Sequence, residues 1–167
     1  MNNFIDISPK SLERNPFKLI GEDWMLITAE KDGKVNTMTA SWGGLGVMWG
    51  KDVAFTVIRP TRYTKEFVDN SDTFSLSFLN RAYKEELSYL GTVSGRDEDK
   101  ITKSKLTVAH FEGTPYFDEA EMVMICKKLF AQPYNPESFI GFDEGKWYPN
   151  KDYHTLYISE ITKVLIR

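Results

Sequence analysis

Asp32-Gly33 constrains this chain more than any other pair of residues. The dipeptide sits between a stretch from Trp24 to Glu30 and another from Lys34 to Trp42, and an Asp-Gly pair so placed signals a two-residue β-hairpin. Two strands joined that tightly lie antiparallel and side by side. Further strands are predicted at Val53 to Arg59 and Thr73 to Leu79, each with partial alternation, and at Met122 to Phe130 and Thr155 to Ile166. Only short helices fit between them. One is Thr64 to Asn70, with Thr64 as its N-cap. The other is Asn80 to Leu90, with Asn80 as cap, Tyr83, Leu87 and Leu90 on one face, and Gly91 as the stop. Strands separated by turns and short helices predict a mainly β chain, folded as a closed or partly closed antiparallel barrel, not as a parallel βαβ sheet.

At 167 residues the chain is expected to form one domain, residues 1–167, with a sizeable core. Its net charge of −3 argues against nucleic acid or an anionic membrane as a general partner. The single cysteine, Cys126, excludes an intramolecular disulfide and fits a reducing interior. No stretch reaches the length of a membrane span, and Met1 to Ile7 holds no signal-peptide apolar core, so a cytoplasmic location is expected. The late strands also offer a surface for dimerisation.

Much chemistry is excluded by what the chain lacks. Two histidines, His110 and His154, and one cysteine are too few for a structural zinc site, so no metal is expected. Gly44, Gly46 and Gly50 form GxGxxxG, one residue too long for a dinucleotide fingerprint, and no long helix follows. Neither a GxxxxGK[ST] loop nor a GxSxG elbow occurs. Cys126 lies within an apolar strand pattern and reads as a buried structural thiol, not a nucleophile.

Three polar stretches remain. In "NTMTASWGG", Asn36 to Gly44, strand alternation puts Asn36, Met38 and Ala40 on one face and Thr37, Thr39 and Ser41 on the other. The strand is expected to end in Trp42 and flexible backbone at the two glycines, and its row of hydroxyls suits either a heterocycle's ring atoms or a solvated edge. In "RPTRYTKEF", Arg59 to Phe67, the expected helix start carries Arg59, Arg62 and Lys65 beside the hydroxyls of Thr61, Tyr63 and Thr64. That combination either binds an anion or caps a surface helix. In "GTVSGRDEDK", Gly91 to Lys100, glycines permit close approach of backbone to a ligand, and Ser94, Arg96 and Lys100 add donors. The same loop read alone is a mobile polar one. Together the three describe a ligand with a phosphate at one end and a flat polar group at the other, as in a phosphorylated flavin or another nucleotide.

The order "NTMTASWGG", "RPTRYT", "GTVSGRD" and "DYHTLYISEI" resembles the flavin reductase-like (flavoredoxin-like) family of FMN-binding split barrels. The likeness runs from about Trp24 to the C-terminal strand. It implies a Greek-key split β-barrel, a homodimer, and FMN near the subunit interface. By motif it also implies that Asn36, Thr37, Met38, Thr39, Ala40, Ser41 and Trp42 contact the isoalloxazine and ribityl chain. Arg62, Tyr63 and Thr64, with Arg59 before them, would bind the phosphate region, and Ser94, Gly95, Arg96 and Lys100 would close over it. His154 falls where many members carry Gly-Asp-His before the last strand, but here the sequence is Lys-Asp-Tyr-His, and Ser159 replaces a Gly. The implied chemistry is hydride transfer from NAD(P)H to the flavin ring, with electrons passed on to a free flavin or a protein acceptor. Backbone N–H groups around Thr39 to Trp42, or Lys100, would steady charge on the ring's N1–C2 edge, and His154 would orient substrate. Two other uses fit the same residues: an FMN electron carrier reduced by a partner, and a non-enzymatic barrel that binds a small ligand.

Overall fold

The structure, a computed structural model, describes residues 3–167. Asp32 and Gly33 both have positive φ, 51° and 74°, the backbone that a tight two-residue hairpin requires. They join β2 (Met25–Lys31) to β3 (Lys34–Ala40) in unbroken register, from Met25 opposite Ala40 to Lys31 opposite Lys34. The other long strands are β4 (Gly43–Met48), β5 (Lys51–Ile58), β6 (Thr73–Phe78), β9 (Met122–Pro133) and β10 (Thr155–Ile166). A short β1 (Ile5–Ile7) pairs with β10, and a one-turn α1 (Pro16–Lys18) precedes β2. The sheet runs β3-β2-β6-β9-β10-β5-β4, every pairing antiparallel.

That order puts β3 and β4, neighbours in the chain, at opposite ends of the sheet. Only Ser41 and Trp42 separate them, so the sheet must curl until its two ends meet at this junction. Register shifts between β9 and β10, at Ile158/Ser159 and at Ile161/Lys163, supply the local bending that curling needs. The result is a barrel split along the β3/β4 seam.

Alternation along the strands builds two cores. Met25, Ile27, Met38, Phe74, Leu76, Met124, Cys126 and Tyr157 point into the barrel, where Phe67 and Val68 of α2 (Thr64–Asp69) plug one end. Burial raises the Cys126 thiol pKa well above its ordinary value, so it stays an inert core residue. On the outer face, Leu26, Val123, Ile125 and Leu165 meet a covering layer. That layer consists of α3 (Lys84–Thr92), α4 (Lys100–Ser104) and the hairpin of β7 (Val108–Phe111) and β8 (Thr114–Phe117). Each fully buried large apolar side chain contributes about 1.5–3 kcal/mol. Among the described residues no helix is long and apolar enough to cross a membrane.

Three local expectations are corrected. The chain does not turn flexible after Trp42, because Gly43–Met48 is a strand. Its glycines make room for Phe55: a Cβ on Gly43 would lie 2.3 Å from the Phe55 carbonyl oxygen, and one on Gly46 3.3 Å from the Phe55 ring. Gly91 does not stop the second helix, which runs on to Thr92 after a 3-10 turn at Arg81–Tyr83 that Asn80 caps. Gly91 instead lets α3 press onto β3, since a Cβ there would sit 3.1 Å from Thr39 Cβ. Thr64 is not the cap of α2; the cap position is Tyr63, which makes no side-chain cap bond. The Thr64 hydroxyl turns inward to a buried partner, Asn36.

Candidate functional site

Strand alternation decides what β3 offers at the seam. Met38 and Ala40 pack into the barrel interior, and Asn36, also buried, donates from Nδ2 to Thr64 Oγ1 at 2.9 Å. On the opposite face Thr37 Oγ1 donates to the Ile27 carbonyl at 3.1 Å and lies 2.9 Å from Thr28 Oγ1. Thr39 Oγ1 donates to the Leu87 carbonyl of α3 at 2.5 Å. The hydroxyls of Thr37 and Thr39 therefore have partners within the protein, and Met38, half-buried Thr39, Ala40, Ser41 and Trp42 line the seam.

A cleft of about 190 Å³ opens there, bounded by Ser41, Trp42, Val57, Arg59, Arg62 and His154. A second, of about 200 Å³, is lined by Thr61, Arg62, Thr64, Gly91, Ser94 and Lys100. Arg62 is common to both, so the clefts adjoin at its side chain. Asn36, Tyr63 and Gly95 complete the second cleft. The expected site residues thus fall into two adjoining groups, one at the seam and one around Arg62. Thr37 and Arg96 border neither cleft.

The electrostatics of the second cleft are unusual. Arg62 Nη1 donates to the Gly91 carbonyl at 3.0 Å, and Lys100 Nζ donates to the carbonyls of Leu90 and Val93, each at 2.9 Å. Both cations thus sit on the orphan carbonyls at the C-terminal end of α3, where the helix dipole favours positive charge. Lys100 is only 3% exposed, and among the described residues no carboxylate pairs with it or with Arg62. Burial, aided by the Arg62 charge, pushes the Lys100 pKa down to about 8, and burial also lowers that of Arg62.

The loop between α3 and α4 is latched over Tyr63. The Arg96 guanidinium lies 4.6 Å from the centre of the Tyr63 ring, donates to the Thr61 carbonyl at 3.3 Å and pairs with Glu66. Gly95 lies so close beneath this latch that a Cβ would come 2.2 Å from Asn36 Oδ1. Lys65, by contrast, turns to Asp69 in an i,i+4 pair at 2.7 Å.

At the seam an aromatic cluster backs His154. Tyr148 Oη lies 2.7 Å from His154 Nδ1, and the Trp42 ring centre 5.1 Å from that of His154. Trp147 meets Trp42 edge-on at 5.4 Å. Arg59 pins this segment by pairing with Asp152 at 2.9 Å, donating to the Trp147 carbonyl at 2.9 Å and stacking 4.8 Å over Tyr148. Burial, reinforced by the Arg59 charge, lowers the His154 pKa to about 4, so the imidazole is uncharged at neutral pH. Sequence reasoning missed Val57, Trp147, Tyr148 and Asp152. The density of aromatics from Tyr134 to Tyr153 was the available signal for the last group.

None of the curated proteins matches the chain in sequence. Solved structures do resemble it in fold. An FMN-binding domain of a flavin reductase-like enzyme from Shewanella baltica OS155 is 18% identical with a TM-score of 0.72, over 99% of this chain and 78% of that one. A flavoredoxin from Methanosarcina acetivorans is 19% identical with a TM-score of 0.70, over 98% of this chain and 75% of that one. An NADH:FAD oxidoreductase of Streptomyces globisporus C-1027 is 14% identical with a TM-score of 0.62, over 85% and 74% of the two chains. The model of the flavin reductase like domain matches residues 18–167, nearly the whole length. With its antiparallel split barrel and this match, the chain belongs to the flavin reductase-like family.

Proposed function

We propose that the chain binds FMN across the two clefts that adjoin at Arg62, and that it is an NAD(P)H-dependent flavin reductase. One observation carries the phosphate assignment: buried Lys100 and half-buried Arg62 lie beside each other, among the described residues without a carboxylate partner, in a cleft that also presents Thr61, Thr64 and Ser94. Buried unpaired charge is costly, and a phosphate dianion would offset it with charge-assisted hydrogen bonds. The donor set therefore fits the group.

Bound FMN would supply the electron-accepting ring that the side chains here lack. Ser41 and Trp42 would border that ring, with exposed Trp42 offering a flat surface. His154, uncharged and held by Tyr148, shapes the wall facing Trp42 and gives up no proton near neutral pH. The Arg96–Tyr63–Glu66 latch keeps the loop over the phosphate cleft. Similar structures carry the names of both a flavoredoxin and an NADH:FAD oxidoreductase, so the fold serves carriers as well as reductases.

Two measurements test this. Titration with FMN and riboflavin is expected to favour FMN, because losing a charge-assisted contact costs roughly 1.5–3 kcal/mol, about ten- to a hundredfold in affinity. Equal dissociation constants would sink the phosphate assignment. Anaerobic stopped-flow mixing of the FMN-loaded protein with NADH or NADPH is expected to bleach the flavin. No bleaching with either would remove the reductase reading and leave an electron carrier reduced by a protein partner.

A further inference from the structure

A third cleft, of about 360 Å³, lies between the segment Pro16 to Gly21 and the start of β4, and it shares Ser41 and Trp42 with the seam cleft. Its volume falls within the roughly 300–1,000 Å³ of small-molecule sites. Among the described residues no charged side chain lines it. Ile20 and Leu45 are apolar, and Phe17 and Trp42 are exposed aromatics, Phe17 to 84%. Pro16, Ser41 and the glycines Gly21, Gly43 and Gly44 contribute the rest of the lining, and a Cβ on Gly21 would meet nothing within 4 Å, so the cleft is open there.

The backbone beside the cleft is also irregular. Leu19–Asp23 forms a π-helical turn, a rare element found often at functional sites. Trp24, which follows, has φ 70° and ψ 170°, a conformation that bulky residues seldom adopt. Such strain persists only where the surroundings hold it, and it concentrates at ligand sites.

We propose that this cleft binds an uncharged planar aromatic molecule between Phe17 and Trp42. A neutral aromatic ring buries apolar surface there without loss, whereas a charged one would shed its hydration with no partner to replace it. Because the cleft shares Ser41 and Trp42 with the proposed ring site, its occupant would take the role of a neutral neighbour to the flavin ring. That role rests on the function proposed above; the binding itself does not.

The test is a titration of the isotope-labelled full chain with 2-naphthol, and separately with 2-naphthoate, followed by amide and indole N–H resonances. Saturable shifts of Gly21, Gly43, Gly44 and the Trp42 indole are expected with 2-naphthol, and about tenfold weaker binding with 2-naphthoate. Gly21→Leu, which fills open space, is expected to weaken 2-naphthol about tenfold or more, and Phe17→Ala, at an exposed side chain, several-fold. Shifts elsewhere, equal binding of the two probes, or an unaltered Gly21→Leu would each overturn the proposal. Shifts of the same groups that grow with protein concentration alone would place a second copy of the chain in the cleft and overturn it too. A parallel FMN titration separates the two claims. If FMN fails to bind while 2-naphthol still does, the flavin reading falls and this site stands; the converse removes this site alone.

Discussion

Lys100 holds its ammonium against the carbonyls of Leu90 and Val93 with Arg62 as the neighbouring charge, and its pKa of about 8 compares with 10.5 for a free lysine. Between those pH values the unfolded chain binds more protons than the folded one, so this group's penalty is full below pH 8 and disappears as pH rises through the window. Urea midpoints measured from pH 8 to 10.5 are expected to contain a rising contribution that Lys100→Met removes. FMN binding has the opposite sense. A phosphate favours the charged amine, so affinity is expected to fall as pH climbs past about 8 in the wild type, and to be weaker and flatter in Lys100→Met. Arg62 and Lys65 make a second contrast, because Arg62 lies between the clefts while Lys65 is tied to Asp69 at the surface. Arg62→Ala is expected to cost about ten- to a hundredfold in FMN affinity by calorimetry. Lys65→Ala breaks a surface pair worth at most about 1 kcal/mol and leaves FMN affinity nearly unchanged.

The loop between α3 and α4 depends on a residue without a side chain. Gly95→Ala puts a methyl group against the amide of Asn36, which is itself buried and bound to Thr64. Overpacking of this kind costs about 1–3 kcal/mol, and the loop that carries Ser94 moves with it. Denaturation midpoints and FMN titration are both expected to worsen, while Ser94→Ala affects only the titration. At the scale of elements the sequence was legible where signals are local. Asp32-Gly33 located the first hairpin, and apolar runs located β5, β6, β9 and β10 within a few residues. Strand β4 was hidden because Gly43, Gly44 and Gly46 look like flexible chain, and only the Phe55 ring across from them explains why they are extended. The Thr39 hydroxyl looked available for a ligand because its partner, the Leu87 carbonyl, is distant in sequence. The same distance hid the partner of Arg59, since its salt bridge to Asp152 could not be read from either residue's neighbours.

At the scale of the molecule, the covering layer of α3, α4 and the β7–β8 hairpin lies over one part of the barrel wall. Beyond it the register aligns Phe130, Ile158, Phe55 and Gly44 in one row across β9, β10, β5 and β4. Trp49, 57% exposed, stands 6.2 Å from Phe130, which is 40% exposed. Ile158 in this row is buried, so Trp49 and Phe130 are its exposed apolar part, and we propose that they belong to a dimer interface, isologous pairing being the commonest way to cover such a surface. Light scattering is expected to return a mass near twice 19.3 kDa, and Trp49→Lys with Phe130→Glu to shift it toward one chain. The split has its own consequence. Among the described residues β3 pairs with β2 on one side only, so the amides on its other side lack a strand partner there, next to an exposed tryptophan. Such an edge is a template onto which another chain can add. On the function proposed above, FMN lying along the seam would screen that edge, and the flavin-free protein would be the more aggregation-prone form.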